Sequence, residues 1–262
     1  MAKIIAVANQ KGGVGKTTTS VNLCASLAAT RRRVLLVDLD PQGNATMGCG
    51  LDKRELTISS SDVLLGDARA VDVIIDLEQA GFDLLPGNDA LTAAEVGLIK
   101  QQGREGRLRE ALTPLHDRYD YIFIDCPPAL NILTVNALTA ASGVLIPMQC
   151  EYYALEGLSA LNNTIEQIRK AVNPQLQIEG ILRTMFDPRN NLSNEVSSQL
   201  IMHFGNRVYS TIIPRNVRLA EAPSYGMPAM YYDKNSRGAL AYLALAGEIN
   251  RRDQSDRARA TA

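Results

Sequence analysis

Gln10-Lys11-Gly12-Gly13-Val14-Gly15-Lys16-Thr17-Thr18 is the stretch on which the fold turns. It follows the apolar run Ile4-Ile5-Ala6-Val7-Ala8 and precedes a helix-like run over residues 18–29. Strand, glycine-rich turn and helix, in that order, are the setting of a phosphate-binding loop. Glycines let consecutive backbone N–H groups curl into a concave nest, and the helix N-terminus adds partial positive charge at the same point. Lys16 supplies a full charge for β- and γ-phosphates, and the Thr17 hydroxyl is placed to ligate Mg²⁺.

The loop departs from the general G-x-x-x-x-G-K-[ST] pattern, because Gln10 stands where that pattern has glycine. It also carries a second lysine, Lys11. A lysine that far forward can miss its own chain's phosphates and reach a nucleotide held by a second subunit.

Composition sets the outer bounds. The chain has 262 residues, 46% hydrophobic and 21% charged, which is ordinary for a globular α/β protein. No apolar run approaches the ~20 residues needed to cross a bilayer, and the first strand begins too early to leave room for a signal peptide. A cytoplasmic location is the expectation. Cys24, Cys49, Cys126 and Cys150 form no C-x-x-C pair, and the only histidines are His116 and His203. The cysteines therefore read as buried apolar filler rather than zinc ligands or disulfides. The net charge of −1 means that binding to nucleic acid would need a local basic patch.

Further along, Val34-Leu35-Leu36-Val37-Asp38 is a second apolar run of the kind buried on both faces of a parallel sheet. It runs into Asp38-Leu39-Asp40-Pro41-Gln42-Gly43-Asn44, and a strand C-terminus with two aspartates is where an α/β sheet places ligand chemistry. Tyr121-Ile122-Phe123-Ile124-Asp125 repeats the pattern. Its aspartate matches the second acidic motif of phosphate-loop NTPases, which holds Mg²⁺ through water.

Weaker signals place short strands at 82–86, 142–148, 177–185 and 208–213. Helices are expected at 88–101 (faces marked by Ala93, Val96 and Ile99), 103–115 and 155–172. A further helix at 193–204, capped by Ser193, would turn Val196, Leu200 and Ile201 inward. Asp62 reads as the cap of a short helix through Val63-Leu64-Leu65. The last helix is expected over about 236–251, with one domain over 1–252 and a polar tail, 253–262, without fixed structure. Alternating strands and helices without a composition break predict a doubly wound, mostly parallel sheet flanked by helices.

Together, Lys11-Gly12-Gly13-Val14-Gly15-Lys16-Thr17-Thr18, Val37-Asp38-Leu39-Asp40-Pro41-Gln42-Gly43-Asn44 and Ile124-Asp125-Cys126-Pro127-Pro128 resemble the deviant Walker A ATPases. Within that class they resemble the chromosome- and plasmid-partitioning ParA/Soj proteins. The likeness continues through Ile213-Pro214-Arg215-Asn216 and Glu221-Ala222-Pro223-Ser224.

The resemblance implies a P-loop NTPase fold and an ATPase of weak intrinsic activity that uses ATP and Mg²⁺. Two subunits would sandwich ATP in a homodimer, with Lys11 reaching into the partner's site and Gly12 allowing close approach. Residues 11–18 would hold the phosphates, with Lys16 on the β- and γ-phosphates. Thr17 would bind Mg²⁺, with Asp125 acting through water. Asp40 would orient the attacking water, with Asp38 supporting it. The adenine would lie against Met185, Pro214 and Asn216. The dimer would bind double-stranded DNA without sequence preference through Arg189 and Arg218. A ParB-type centromere-binding partner would stimulate hydrolysis and release it. Localisation would be cytoplasmic and nucleoid-associated.

Three other readings share the scaffold. A MinD-like membrane-positioning ATPase needs a basic amphipathic C-terminal helix, and 251–257 shows no apolar face. An electron-transfer ATPase needs cysteines shared across a dimer around an iron–sulfur cluster, and neither Cys126 nor Cys150 is placed for that. A metabolic ligase needs an acceptor pocket that no motif marks. Within the partitioning class, the cargo could also be a protein cluster.

Overall fold

The computed structural model describes residues 1–260. In chain order the first half comprises β1 (Lys3–Val7), α1 (Lys16–Ala29), β2 (Val34–Asp38), α2 (Asn44–Gly48), α3 (Ser60–Leu65), α4 (Ala70–Val73), β3 (Ile75–Leu77), β4 (Phe82–Leu85), α5 (Ala90–Ile99) and α6 (Arg107–Leu112). The second half comprises β5 (Tyr121–Asp125), α7 (Ile132–Ala140), β6 (Gly143–Met148), α8 (Ala154–Ala171), β7 (Gln177–Phe186), α9 (Asn191–Phe204), β8 (Val208–Pro214), α10 (Val217–Glu221), α11 (Ala229–Tyr232) and α12 (Arg237–Ala260).

The strands form one sheet in the order β3-β4-β2-β5-β1-β6-β7-β8, parallel except for the β3–β4 pair. Every residue of β2, β5 and β6 is buried, as two-sided burial requires of continuous apolar runs. Alternate side chains feed two separate cores. Ile4, Ala6, Leu35, Val37, Ile122 and Ile124 face one layer of helices. Ile5, Val7, Val34, Leu36 and Phe123 face the other, which contains α1 and α12. The doubly wound expectation is met.

The topology places the chemistry. β5 inserts between β1 and β2, with Asp125 in register with Val7 on one side and Asp38 on the other. The glycine-rich loop and both acidic motifs therefore emerge from three adjacent strand ends, the crevice where open α/β sheets bind ligands.

Several local expectations are corrected. The short helix α3 is capped by Ser59, not Asp62. Asp62 instead accepts the Ser59 N–H at 2.8 Å, completing a capping box. In α5 the buried residues are Leu91, Ala94 and Leu98, while Val96 and Ile99 are exposed. In α9 the cap is Asn190, whose Oδ1 accepts from Ser193 N. Val196 and Leu200 are buried but Ile201 is exposed. The helix expected at 103–115 is reduced to α6 between two 3-10 turns, the second containing Pro114. β3 carried no sequence signal because only three residues pair, on the rim.

The largest correction is at the C-terminus. α12 continues past residue 251 to Ala260 rather than giving way to a structureless tail at 253. Residues 261–262 of the expected tail lie outside the described residues. Asp253 is buried and accepts from Lys3 Nζ at 2.6 Å and from the Tyr121 hydroxyl. Lys3 also donates to Glu179 at 2.7 Å. A polar residue without an apolar face thus docks because β1 and β5 bring it charged and hydroxyl partners. Removing Asp253 leaves Lys3 with Glu179 alone and the Tyr121 hydroxyl with a long contact to Asn250 at 3.4 Å, so Asp253→Ala is expected to destabilise the fold by about 1–2 kcal/mol. The denaturant midpoint reports it, and an unchanged midpoint would show the contact to be inert.

Candidate nucleotide site

The loop between β1 and α1 is pinned at its entrance by Asn9. Its side chain accepts from Lys11 N at 3.0 Å and donates to Pro147 O at 2.8 Å. Gly13 and Gly15 hold φ of 72° and 88°, left-handed conformations that an L side chain strains. Gly15 leads directly into α1, whose first turn is exposed to the loop without a side-chain cap. Uncapped N–H groups at a helix start are available to an anion.

Lys16 is 7% exposed and folds back to donate to Lys11 O at 3.3 Å. Burial lowers its pKa, opposed by Asp125 and Asp40. Thr17 Oγ1 donates to Asp125 Oδ2 at 2.8 Å, and Ser20 Oγ donates to Asp125 Oδ1 at 2.8 Å. Asp38 accepts from Thr46 N and Thr46 Oγ1, both at 2.8 Å, and from Asp40 N at 3.2 Å. It thereby shapes the loop that carries Asp40.

Asp40 is 8% exposed, and its Oδ1 accepts from Gln42 N at 2.9 Å. Its other oxygen has no hydrogen-bond partner among the described residues. Asp38 and Asp125 are fully buried neighbours. Burial first, and then mutual repulsion in the case of Asp125, raises both pKa values. Three buried carboxylates against a single lysine leave a deficit of positive charge. No three of the acidic, thiol or imidazole groups among the described residues are arranged to hold a metal by themselves, but Thr17 Oγ1 beside Asp125 offers oxygen donors of the kind Mg²⁺ takes together with substrate phosphates and water.

A cavity of about 290 Å³ opens beside the loop, lined by Gly15, Thr18, Thr184, Met185, Pro214 and Asn216 among others. The expected base-contact residues thus meet the loop despite lying far along the chain. Asn216 Oδ1 is buried without a donor, so it can accept from an exocyclic amine. Thr184 Oγ1 donates to Val14 O at 2.8 Å and ties β7 to the loop, and Met185, held at φ 49°, brings its Cε within 4.0 Å of where a Cβ on Gly15 would stand. Sequence reading missed Thr184, Asn9 and Ser20. Only Ser20 carried a local signal, one helical turn after Thr17 on the same face of α1.

Lys11 does not join this group. It is exposed, and its Nζ pairs with Glu151 in the turn that follows β6. A Cβ on Gly12 would meet nothing within 4 Å. Tyr152 and Tyr153 stand beside Glu151, 75% and 72% exposed, packed edge to face. Arg189 and Arg218 lie outside the pocket and hold carboxylates. Arg189 grips Asp187 through two bonds of 2.7 and 3.0 Å. Arg218 binds Glu221 at 2.7 Å and lies 3.4 Å from Asp233.

Comparison with known proteins agrees with this geometry. The AAA domain family matches residues 2–178. Sporulation initiation inhibitor protein Soj of Bacillus subtilis is 53% identical over 95% of this chain and 98% of its own length. Chromosome partitioning protein ParA of Myxococcus xanthus is 51% identical over 97% of this chain and 89% of its own length. Among solved structures, a Mycobacterium smegmatis protein described as cobyrinic acid a,c-diamide synthase, with bound ATP analogue and magnesium, superposes with a TM-score of 0.86. It is 38% identical, over 98% of this chain and 97% of its own. With a phosphate loop and paired acidic strand ends on a doubly wound sheet, and relatives matched over nearly their whole length, the chain belongs to the ParA/Soj family of partitioning ATPases.

Proposed function

We propose that this chain is an ATP-driven DNA-partitioning switch in which two subunits close on ATP and Mg²⁺. Residues 11–18 cradle the phosphates, with Lys16 on the β- and γ-oxygens. Thr17 ligates Mg²⁺, and Asp125 holds it through water. Asp40 orients the attacking water with its free oxygen, and Asp38 fixes the loop that presents it. Met185, Pro214 and Asn216 receive the adenine. The bound metal supplies charge neutralisation between the phosphates.

The observation that carries the dimeric reading is Lys11. It is exposed and pairs with Glu151 rather than with any group of its own pocket, next to an open Gly12 and two exposed tyrosines. A second copy laid on that face would receive Lys11 beside its own phosphates, where a cation stabilises transition-state charge.

Arg189 and Arg218 are proposed to contact duplex phosphates once dimerisation doubles their number. Release follows hydrolysis stimulated by a ParB-type partner, and the protein works in the cytoplasm on the nucleoid. No described helix is long and apolar enough to cross a membrane.

The decisive experiment measures ATPase rate with and without duplex DNA and the ParB-type partner. A rate indifferent to both would sink the switch. Arg189→Glu is expected to keep ATP-dependent dimerisation and weaken DNA binding by about tenfold or more, with a shallower salt slope, since a lost phosphate contact removes a released counterion. Normal DNA binding by that variant would move the interface elsewhere. ATP-dependent flotation with liposomes would favour the membrane-positioning reading instead.

A further inference from the structure

At the other end of the sheet, the edge strand β8 is irregular. Ile181 pairs with Val208 and Arg183 with Ile212, so Tyr209, Ser210 and Thr211 stand against Leu182 alone. Two charged side chains absorb the surplus backbone groups. Arg183 Nη2 donates to Tyr209 O at 2.8 Å and to Ser210 O at 3.3 Å. Glu248 accepts from Ser210 N and Thr211 N, both at 2.9 Å.

Beside this bulge lies a cleft of about 750 Å³, larger than the nucleotide cavity. Four arginines line it, Arg183, Arg207, Arg251 and Arg252, against two carboxylates, Glu179 and Glu248. Both carboxylates are already engaged. Glu179 accepts from Lys3, and Glu248 holds Arg252 at 2.7 Å as well as the two amides. Arg207 and Arg251 are exposed and have no ion-pair partner among the described residues.

Two buried groups in the wall are left wanting. Arg183 is 6% exposed and donates from Nη1 to Ser197 Oγ at 2.9 Å and from Nη2 to the two carbonyls, but it has no carboxylate within hydrogen-bond distance and its Nε has no partner. Burial pushes its pKa down. Tyr209 is fully buried on the same cleft, its ring 4.3 Å beneath the Arg252 guanidinium, and its hydroxyl has no partner. The charge nearest to balancing Arg183 is Glu248, which is shared with Arg252 and two amides; a buried cation so weakly compensated is costly, and a cleft with an excess of positive charge concentrates anions.

We propose that this cleft binds a small polyanion carrying two or more phosphate or carboxylate groups. Arg207 and Arg251 grip it at the mouth, and Arg183 and Tyr209 supply charge and a donor at the floor. Guanidinium forks match both kinds of anionic group. The volume is that of a small-molecule site. The cleft lies at the start of β8 and the C-terminal half of α12, whereas the phosphate loop lies beyond the C-terminal strand ends. It is therefore separate from the nucleotide site and from Arg189 and Arg218.

The full chain, saturated with MgADP to fill the phosphate loop, is titrated calorimetrically with pyrophosphate and, separately, tricarballylate. The two arms separate phosphate from carboxylate sources. Saturable binding of one equivalent of at least one probe is expected. It should weaken about tenfold or more, roughly one lost charge-assisted contact, in the Arg207→Gln/Arg251→Gln double variant. Arg169→Gln, which alters an arginine outside the cleft, should bind as the parent does. Equal melting temperatures without probe establish that the exposed substitutions leave the fold intact. No saturable binding up to about 10 mM overturns the proposal. So does equal weakening in Arg169→Gln, or loss of binding in Lys16→Gln with retention in the cleft variant. Loss of duplex DNA affinity in the cleft variant without any response to the small anions would also overturn it, assigning the surface to DNA.

Discussion

Asp40→Ala is expected to lower ATP turnover by about 10²- to 10⁴-fold, the usual worth of a positioned acid–base group, while ATP-dependent dimerisation and DNA binding persist. The separation follows from how the two aspartates of that loop are used. Asp38 is consumed by the loop itself, through Thr46 and the Asp40 amide. Asp40 spends one oxygen on Gln42 N and keeps the other unengaged at the site. Removing Asp40 therefore takes away a group that can hold water without dismantling the loop. Stopped turnover assays and gel filtration with ATP read the two halves of the prediction. Retained turnover would assign the water to another group. Loss of dimerisation as well as turnover would make Asp40 structural.

Lys11→Ala should cost about 10³-fold or more in turnover, the range for a cation delivered to a phosphoryl transition state. Its loss should be reparable by a partner. In a mixture of Lys11→Ala and Asp40→Ala chains, each mixed dimer contains one site that has its own Asp40 and receives an intact Lys11 from the other chain. Mixing two nearly inactive proteins is then expected to restore a substantial part of the parent rate. The ion pair with Glu151 poses little obstacle, because exposed pairs of this kind are worth at most about 1 kcal/mol. If mixing restores nothing, Lys11 does not act across the interface and the sandwich reading fails.

Some of these assignments were legible in the chain and others were not. The phosphate loop could be read because its chemistry is local. Glycines at 13 and 15, Lys16 and Thr17 act within one turn of backbone, and the structure gives those glycines the positive φ that the reading required. Asp38 and Asp125 were legible as strand ends because each closes an uninterrupted apolar run. The core side of α9 was legible in Val196 and Leu200 but not at Ile201, and the sequence marked the faces of α5 without saying which is buried. Val96, Ile99 and Ile201 fit a helical stripe but are left exposed, while Leu91, Ala94 and Leu98 take the core in α5. Asp253 was misread for the opposite reason, a polar residue in a polar segment that is nonetheless buried.

By itself, the sequence determined the strand–loop–helix unit, the parallel sheet and the identity of the groups that meet phosphate, because periodicity and backbone chemistry are properties of neighbours in the chain. Only the tertiary structure decided that β5 lies between β1 and β2, so that Asp125 and Asp38 share one crevice. It alone brought Thr184, Met185 and Asn216 to the loop and turned Lys11 outward. It also left four arginines around a cleft with two engaged glutamates. Burial and charge balance are sums over residues far apart in the chain, and no local pattern encodes them.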